Sequence, residues 1–600
     1  LSIGFSGFLA LTFTPALCAT ILKPISHHGE KRGIFGFINR FINRLTNFYA
    51  WSVEKFIGIR YALMVIFLGI CLAVVYMFNR LPSSFLPDED QGFLMSVIQL
   101  PPGATAESTM KVLKDIEGIV KGFPEVQNII AIQGFSFMGQ GQNMAMAFIS
   151  LKDWSLRTKP QEGAKILSGR MMGEFLGKLR GATVFALSPP AIPSLGTSSG
   201  FNVVIQDRGG AGHEALVAAR NQLMGELMKN SSLFTDVRPG GLEDAPQLRL
   251  KIDRDKLYAQ GLTMNSVSNV LAVNLGSSYI NDYPNRGRLQ RVTVQAEATA
   301  RMQPEDVLNL MVVNNQGKQV PISSFATIGW EYGPLSTDRY NGYSSMSLSG
   351  AAAAGKSTGE AMAEIEQLAK KLPTGFGIEW TGLSLEEQRA GNQQLYVYGA
   401  TVLVIFLCLA ALYESWSIPL AVLLVLPLGV LGAVGGVLGR SWFNLTMTLM
   451  FAGQQAARYA EQFANDIYFR VGMITVMGLN AKNAILIIEF AKELQESGKN
   501  LISSTIEACR LRFRPILMTS LAFILGVVPL YLSSGASSAS QRAIGTSVFW
   551  GMTVGTFLGL LFIPMFFIVV RSIFKGGNGV KDKHAPPANL AKPAALEPNQ

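Results

Sequence analysis

Seven separate runs of about 20 apolar residues constrain this chain more than any other feature. A helix needs about 20 such residues to cross the hydrocarbon core of a bilayer. Residues 82–392 contain no comparable run and are therefore predicted to be water-soluble. The pattern predicts a multi-pass α-helical membrane protein with one large soluble α+β domain. The runs lie near residues 1–22, 61–79, 396–413, 417–438, 468–490, 515–533 and 545–571.

Basic residues cluster in three places, and these clusters explain the formal net charge of +10. When the spans are counted, all three clusters fall on one side of the membrane, which the positive-inside rule makes the cytoplasm. The soluble block then faces outward, and the charge gives no reason to expect a nucleic-acid partner. The clusters are Lys23, Lys31, Arg32, Arg40 and Arg44; Lys492, Lys499, Arg510, Arg512 and Arg514; and Arg571, Lys575, Lys581 and Lys583.

Cysteine usage and the start of the chain restrict the protein class further. Cys18, Cys71, Cys408 and Cys509 lie in or beside apolar runs, so the soluble block has no disulfide framework. The four histidines lack the spacing of metal ligands. Leu1 already lies inside an apolar run, without an initiator Met or a charged region before it. We therefore expect a truncated chain and not a signal peptide.

The order of predicted elements in the soluble block indicates two similar units. Residues 82–195 show the order β-α-β-β-α-β, which is that of a ferredoxin-like unit. The same order begins again in 196–238 and resumes in 341–392. Residues 239–340 are then predicted to be an inserted small α+β domain.

The flanking segments complete the predicted organisation. Residues 1–22 are predicted to be a partial transmembrane helix, and 61–79 a complete one. Residues 23–60 alternate apolar and basic positions with helical period, which favours an amphipathic helix on the cytoplasmic face over an ordinary connector. Residues 393–571 predict a bundle of five spans, and 572–600, rich in Ala, Pro and Lys, predict a disordered tail.

Lys482 is the most informative single residue, because it lies near the middle of an apolar run. A lysine at the centre of a membrane helix costs about 2.5–3.5 kcal/mol on insertion scales. We therefore expect it to face a bundle interior and a carboxylate, with Asn480 and Asn483 making the site more polar. The other spans offer no such carboxylate, so the partner is absent from this chain or supplied by another. The pattern predicts a proton-relay or ion-coupling site, and a structural lysine bound to backbone carbonyls is the alternative.

Thr519 and Arg512 lie at the start of the next predicted span. A hydroxyl and a guanidinium at that depth could line a water path toward Lys482. Each residue taken alone is more often a packing threonine or an interface anchor.

The segment GFSFMGQGQN at 134–143 predicts a binding site for apolar ligands. Phe135 and Phe137 are two positions apart, so they point the same way in an extended chain, and the glycines leave the loop mobile. Phe148, Phe185 and Leu187 fall on neighbouring strands. Together these side chains could form an aromatic pocket for varied ligands, and a plain hydrophobic core is the alternative.

Three further patterns leave other functions open. Met138, Met144 and Met146 could bind Cu(I), although methionine more often fills gaps in a core. GAAAAGKS at 350–357 satisfies the P-loop pattern with Lys356, but a helix-capping turn is favoured because its surroundings are ferredoxin-like. The acidic triplet at 88–90 begins like a calcium loop, but Gln99 stands where the last ligand belongs.

Several long motifs resemble one family, the AcrB-type hydrophobe/amphiphile exporters of the resistance-nodulation-division superfamily. The resemblance spans nearly the whole chain and corresponds to the C-terminal half of such a pump. The motifs are RLPSSFLPDEDQG (80–92), GQGQN (139–143), GGLEDAPQ (240–247), GKSTGEAM (355–362), FLCLAALYESWSIP (406–419), GLNAKNAILIIEFAK (478–492) and RFRPILMTSLAFILGVVPL (512–530).

The resemblance implies a proton-driven exporter of amphiphilic drugs that is not an enzyme and has no cofactor beyond the coupling proton. It implies a homotrimer in the inner membrane of a Gram-negative bacterium, in contact with membrane lipid and with its large domain in the periplasm. A periplasmic membrane-fusion adaptor and an outer-membrane channel would be its partners. Residues 82–195, and 196–238 with 341–392, would be two porter subdomains, and 239–340 a docking subdomain.

The resemblance also assigns roles to residues by position. Three match the family's proton relay: Lys482, Arg512 and Thr519. The substrate-binding positions are Ile130, Ile132, Phe148, Phe185 and Leu187 in the pocket, Phe135 and Phe137 in the switch loop, and Arg238 at the outer cleft. Ile130 stands where an aromatic residue is usual, and Gln140 where a basic residue is common, so the substrate range is not implied.

Two departures from the family pattern remain. The N-terminal half, with its intramembrane aspartate pair, is absent, so the chain is expected not to be competent alone. Residues 441–464 stand where the family has only a few residues, and are either an amphipathic hairpin extension or a sequence artefact. Three other functions stay open: a copper or silver exporter of the same superfamily, an ATP-dependent translocase using the P-loop match, and a protein-translocation accessory, whose soluble domains would be smaller.

Overall fold

The computed structural model describes residues 1–21, 34–192, 200–353, 356–457 and 463–574. The first part of the segment between the first two spans, residues 22–33, and the tail from residue 575 therefore lie outside the described residues. The chain begins with four helices: α1 (Ser2–Leu11), α2 (Phe13–Ile21), α3 (Ile34–Gly58) and α4 (Arg60–Arg80).

The first soluble unit is an antiparallel four-stranded sheet in the order β2-β3-β1-β4. Its elements follow the predicted β-α-β-β-α-β order. Both helices cover one face, where Leu94, Ile98 and Ile149 are fully buried. The elements are β1 (Phe93–Gln99), α5 (Ala106–Lys121), β2 (Val126–Ser136), β3 (Gly139–Leu151), α6 (Ala164–Lys178) and β4 (Thr183–Leu187).

The second soluble unit repeats this order, with a long insertion after its second strand. The elements from residue 201 to 380 are β5 (Phe201–Asp207), α7 (His213–Lys229), β6 (Phe234–Pro239), β7 (Ala245–Ile252), α8 (Arg254–Ala259), α9 (Met264–Leu271), β8 (Ser278–Asn285), β9 (Arg288–Val294), α10 (Pro304–Asn309), β10 (Met311–Val313), β11 (Gln319–Pro321), β12 (Ala326–Gly333), β13 (Asp338–Tyr340), β14 (Tyr343–Ala352), α11 (Thr358–Ala369) and β15 (Phe376–Trp380).

Two sheets of the same strand order therefore lie in one chain. In the second sheet, β6 pairs with β14, β14 with β5 and β5 with β15, which is the order of the first sheet. Phe201, Val203 and Ile205 are buried with apolar side chains of α7 and α11. The insertion between β6 and β13 forms two-stranded ladders around a small core of its own.

Long helices form the C-terminal part of the chain. They are α12 (Gly382–Tyr413), α13 (Ser417–Leu423), α14 (Leu426–Ala457), α15 (Ile467–Glu496), α16 (Leu501–Tyr531) and α17 (Ser538–Ile573). Within the described residues, seven helical segments are long and apolar enough to span a membrane: Gly4–Ile21, Arg60–Arg80, Gly382–Tyr413, Ser417–Met450, Ile467–Glu496, Leu501–Tyr531 and Ser538–Ile573. Each overlaps one of the runs predicted from the sequence.

α17 is the central helix of this bundle. In its most apolar stretch 72% of the residues are buried, against 22% in α16 and 6% in α12. It packs against α14, α15 and α16. The amphipathic α3 lies against the same bundle, since the Tyr49 hydroxyl donates to the Leu560 carbonyl at 2.8 Å and its ring stacks on Phe513.

α14 continues well past residue 438, where its apolar run was predicted to end. The chain later returns to the same place, because the Phe463 N–H donates to the Ser441 hydroxyl at 3.0 Å. Ser441 and Phe463 therefore lie next to each other, and residues 458–462 between them lie outside the described residues. Arg440 lies beside this contact, with its guanidinium 4.9 Å from the Phe463 ring and 4.1 Å from the Tyr531 ring.

Candidate functional site

The first sheet has a second face that neither α5 nor α6 covers. The pairing registers place Ile130 opposite Phe148, Phe148 opposite Met95, and Met95 opposite Leu187. Because side chains two positions apart share a face, a parallel row lies beside this one. That row is Ile132, Met146, Val97 and Phe185. We call these eight side chains the apolar face.

The apolar face contains five of the predicted pocket residues and is separate from the hydrophobic core of the sheet. None of them belongs to the core beneath the helices. Ile130 and Ile132 are 61% and 40% exposed, whereas Leu187 is buried. The sequence analysis missed Met95, Val97 and Met146, although β1 is apolar at successive positions and so had to present apolar side chains on both faces.

The hairpin between β2 and β3 carries Phe135 and Phe137 at the end of this face. Their rings meet edge to face with centroids 6.5 Å apart, and both side chains are exposed. A Cβ added to Gly139 would lie 3.4 Å from a methyl carbon of Leu242, in the segment after β6. The hairpin tip therefore reaches the second half of the soluble region.

Arg238 on β6 brings a cation to the same place. It is 6% exposed, and its guanidinium lies 5.7 Å from the centroid of the Phe185 ring. Desolvation by burial lowers the pKa of this guanidinium, and the carboxylate of Asp236 partly offsets that effect. A buried cation over an aromatic ring is stabilised by the ring's quadrupole. Arg238 thus links the second sheet to the apolar face.

The three methionines that could bind Cu(I) do not lie together on an exposed surface. Met144 and Met146 are buried on the same side of β3, while Met138 lies in the turn before it. The segment that matches the P-loop pattern begins a helix and makes contacts with that helix. Ser357 caps α11 by accepting the Glu360 N–H at 3.1 Å, and Lys356 pairs with Glu360 at 3.7 Å. β14, which precedes it, is antiparallel to its neighbours, whereas P-loops follow parallel strands.

In the membrane bundle, Lys482 lies 15 residues after the start of α15 and 14 before its end. Its side chain is exposed, and no described residue forms an ion pair or hydrogen bond with it. The described helices leave this side chain uncovered, and the expectation that it faces a bundle interior and a carboxylate remains a prediction. Asn480, two positions away, is buried, and a step of two residues turns a helix by about 200°.

Asn480 and Asn483, which were expected to make the surroundings of Lys482 more polar, are buried on other faces of α15. The Asn483 amide donates to the Ser520 hydroxyl at 3.3 Å, and the Thr556 hydroxyl donates to Ser520 at 3.2 Å. This buried cluster ties α15 to α16 and α17. Both polar atoms of Asn480 are buried without a hydrogen-bond partner among the described residues, and its amide occupies the space that a side chain at Gly429 or Gly555 would need.

Arg512 and Thr519 lie on α16, which packs beside α15. The Arg512 guanidinium lies 4.5 Å from the centroid of the Phe490 ring, and its Nε is buried without a hydrogen-bond partner in the described residues. The Thr519 hydroxyl donates to the Ile516 carbonyl of its own helix at 3.1 Å. No hydrogen bond joins Lys482, Arg512 and Thr519 within the part of the chain that is described.

Comparison with known proteins places this arrangement in a family. Residues 1–571 match the model described as the AcrB/AcrD/AcrF family. The chain belongs to this family. This is the family that the motifs indicated, and the several apolar helices of the chain suggest a membrane protein.

Individual relatives agree with this assignment. The chain is 45% identical over 593 residues to the multidrug/solvent efflux pump membrane transporter MepB of Pseudomonas putida, covering 98% of this chain and 54% of MepB. It is 46% identical over 580 residues to the multidrug export protein AcrF of Escherichia coli, covering 96% and 54%. The multidrug resistance protein MdtF of Escherichia coli is 43% identical over 573 residues, covering 95% and 53%. The chain thus spans about half the length of these relatives.

Proposed function

We propose that this chain serves in the proton-driven export of amphiphilic drugs from the inner membrane and periplasm of a Gram-negative bacterium. Protons would move inward through the membrane bundle, and the drug would leave through the soluble region. The names of its relatives support drug export, because MepB and AcrF are described as multidrug exporters. The apolar face supports a greasy ligand, since Ile130 and Ile132 are exposed on it and it ends at the two exposed phenylalanines of the hairpin.

The observation that carries the coupling is Lys482 in the middle of α15, an exposed ammonium that pairs with no described residue. An ammonium group at that depth needs an anionic or polar neighbour, and such intramembrane charges mark ion pathways by default. Its open face would be completed by acidic side chains of the rest of the pump. Arg512 and Thr519, on the neighbouring helix, would line the water path that leads to it.

The assembly we propose is a homotrimer that works with a periplasmic adaptor and an outer-membrane channel. The two sheet units would be porter subdomains, and the insertion between β6 and β13 would be the docking subdomain. Arg238 and the Phe135–Phe137 hairpin lie where the two halves of the soluble region meet. Movement of one unit against the other would open and close the apolar face, so proton binding and drug release would be linked.

The test replaces Lys482 in the full-length pump, expressed in a strain that lacks other exporters. Lys482→Ala should abolish export of a fluorescent dye, while dye binding to the purified pump stays within about twofold of wild type. Lys492→Ala is the matched control, because Lys492 lies on the same helix, is partly exposed and pairs with Glu496 at 3.7 Å. Full export by the Lys482→Ala pump would exclude the proposed coupling.

A further inference from the structure

The segment between α4 and β1 makes contacts that the proposed function does not use. We call residues 81–92 the junction strap. It contains the acidic triplet Asp88, Glu89 and Asp90, whose likeness to a calcium loop is incomplete. In the structure, two adjacent carboxylates of this triplet each bind the N-terminus of a different helix.

Glu89 caps the central helix of the membrane bundle. α17 begins at Ser538, and its own N-cap residue, Ser537, makes no side-chain capping bond. The Glu89 carboxylate accepts the Ser540 N–H at 2.8 Å and the Ala539 N–H at 3.1 Å, from 450 residues away in the chain. A carboxylate at this position satisfies free N–H groups and complements the positive end of the helix dipole.

Asp90 binds the first soluble unit in the same way. It accepts the Ala164 N–H at 3.0 Å, at the first residue of α6, which also lacks a side-chain cap of its own. It also accepts from both terminal nitrogens of Arg157, at 2.8 and 3.2 Å, and the Arg157 side chain is only 2% exposed. Bidentate pairs of this kind hold their geometry rigidly.

The other end of the junction strap holds the helix that carries Lys482. The N–H groups of Asn465 and Ile467, at the start of α15, donate to the carbonyls of Pro82 and Phe85 at 2.7 and 3.1 Å. Both α15 and α17 are thus hydrogen-bonded at their N-termini to one short segment. That segment leads directly into β1, the strand that carries Met95 and Val97 of the apolar face.

We propose that the junction strap transmits movement between the membrane bundle and the first soluble unit, and that Glu89 is the positioning residue that connects α17 to it. This inference rests on the proposed function, because only a pump that couples two distant sites requires such a connection. Consecutive Cα atoms are about 3.8 Å apart, so a shift of α17 held by Glu89 must displace Asp90, and with it Arg157 and α6. Coupling between two distant sites requires a structural element whose position is influenced by both the membrane bundle and the first soluble unit.

The experiment compares three variants of the full-length pump in proteoliposomes with an imposed pH gradient. Initial rates of dye export give kcat and KM separately. Glu89→Ala removes both acceptor oxygens and should lower kcat about tenfold while KM stays within about twofold, since charged hydrogen bonds contribute on this scale. Glu89→Gln keeps one acceptor oxygen and should give an intermediate kcat. Asp253→Asn is the matched control, because Asp253 caps α8 locally by accepting the Lys256 N–H at 3.2 Å.

The outcomes separate transmission from mere stabilisation. A kcat of the Glu89→Ala pump within about twofold of wild type would overturn the proposal. A loss of kcat that is fully explained by a lower thermal unfolding midpoint would also overturn it. The same holds if Asp253→Asn lowers kcat as much as Glu89→Ala does. A Lys482→Ala pump measured alongside distinguishes the two hypotheses. If it still exports dye, the proposed function fails; if it is inactive while Glu89→Ala is normal, only the transmission role fails.

Discussion

The two soluble units share one strand order, but their uncovered faces have opposite chemistry. In the first unit that face carries Ile130, Phe148, Met95 and Leu187 in a single row. In the second unit the corresponding positions of β5 and β14 are mostly polar: Asn202, Gln206, Ser345, Ser347 and Ser349, with Val204 as an apolar exception. The Ser349 hydroxyl there donates to the Asn202 side chain at 2.7 Å, so the polar face satisfies itself.

This difference teaches that the fold alone does not make a ligand site. Both units bury apolar side chains under two helices, and that burial stabilises each sheet. The first unit has eight apolar side chains on its other face, of which Ile130 and Ile132 are exposed, whereas the second unit has Val204 among mostly polar side chains there. A partly exposed apolar surface of this kind is typical of a binding site, and the strand order shared by the two units does not by itself supply one.

The largest expected effect concerns the covered face of the first unit. Ile149 is fully buried under the helices, whereas its neighbour Phe148 points to the apolar face. Ile149→Ala should lower the free energy of unfolding by about 2–5 kcal/mol, because it leaves a cavity in a packed core. Chemical denaturation of the purified protein measures this. An equal loss of stability from Phe148→Ala would mean that the two faces are not distinct.

A smaller effect is expected where the second unit turns from β5 into α7. The Asp207 carboxylate accepts the Gly212 N–H at 2.9 Å and the Ala211 N–H at 3.0 Å. The Gly212 N–H, more than any other group, lowers the pKa of this carboxyl, although burial opposes the effect. Because the folded pKa is lowered, the stabilisation is present above the unfolded pKa of about 4 and is lost as pH falls through the folded value.

Asp207→Asn should therefore lower the free energy of unfolding at pH 7 by about 1.5–3 kcal/mol, and the difference from wild type should vanish in acid. The first unit offers a contrast, since uncharged Thr105 caps α5 there by accepting the Ser108 N–H. Thr105→Ala should cost about 1 kcal/mol, with little pH dependence. Denaturation at several pH values distinguishes the variants, and a pH-independent loss for Asp207→Asn would contradict the assignment.

The smallest effect sharpens the difference between the two uncovered faces. Phe148→Ala in the full-length pump should weaken dye binding about tenfold, because one aromatic contact to the ligand is lost. Ser349→Ala, at a polar position on the uncovered face of the second unit, should leave dye affinity unchanged and lower the free energy of unfolding by only about 1 kcal/mol. Fluorescence polarisation of bound dye measures the affinity. Equal losses of affinity in both variants would refute the comparison.

Much of the architecture could be predicted from the sequence because it depends on local patterns. Run length identified the seven apolar helices, since crossing a membrane sets a minimum length. Periodicity and turn residues predicted the order of strands and helices in both units. The end of α14 was not predicted, because residues 441–457 continue the helix without an apolar run of the expected length.

The candidate sites were predictable by residue type but not by arrangement. Met95 and Val97 were missed because β1 is apolar on both faces, and only the strand register shows which face each joins. The sequence could not show which side of α15 Lys482 occupies, because the rotation of α15 is set by its packing against α14, α16 and α17, where Asn480 and Asn483 point inward. The role of Glu89 had no local signal at all.

The sequence by itself determined which segments are apolar enough to leave water and which alternate as strands and helices. These properties depend on neighbouring residues, so short-range patterns carry them. Only the tertiary structure decided which faces are covered, which way Lys482 points and that Glu89 caps a helix starting at Ser538. Such contacts join residues hundreds of positions apart, and they are selected by the packing and hydrogen bonding of the whole molecule and by no local preference.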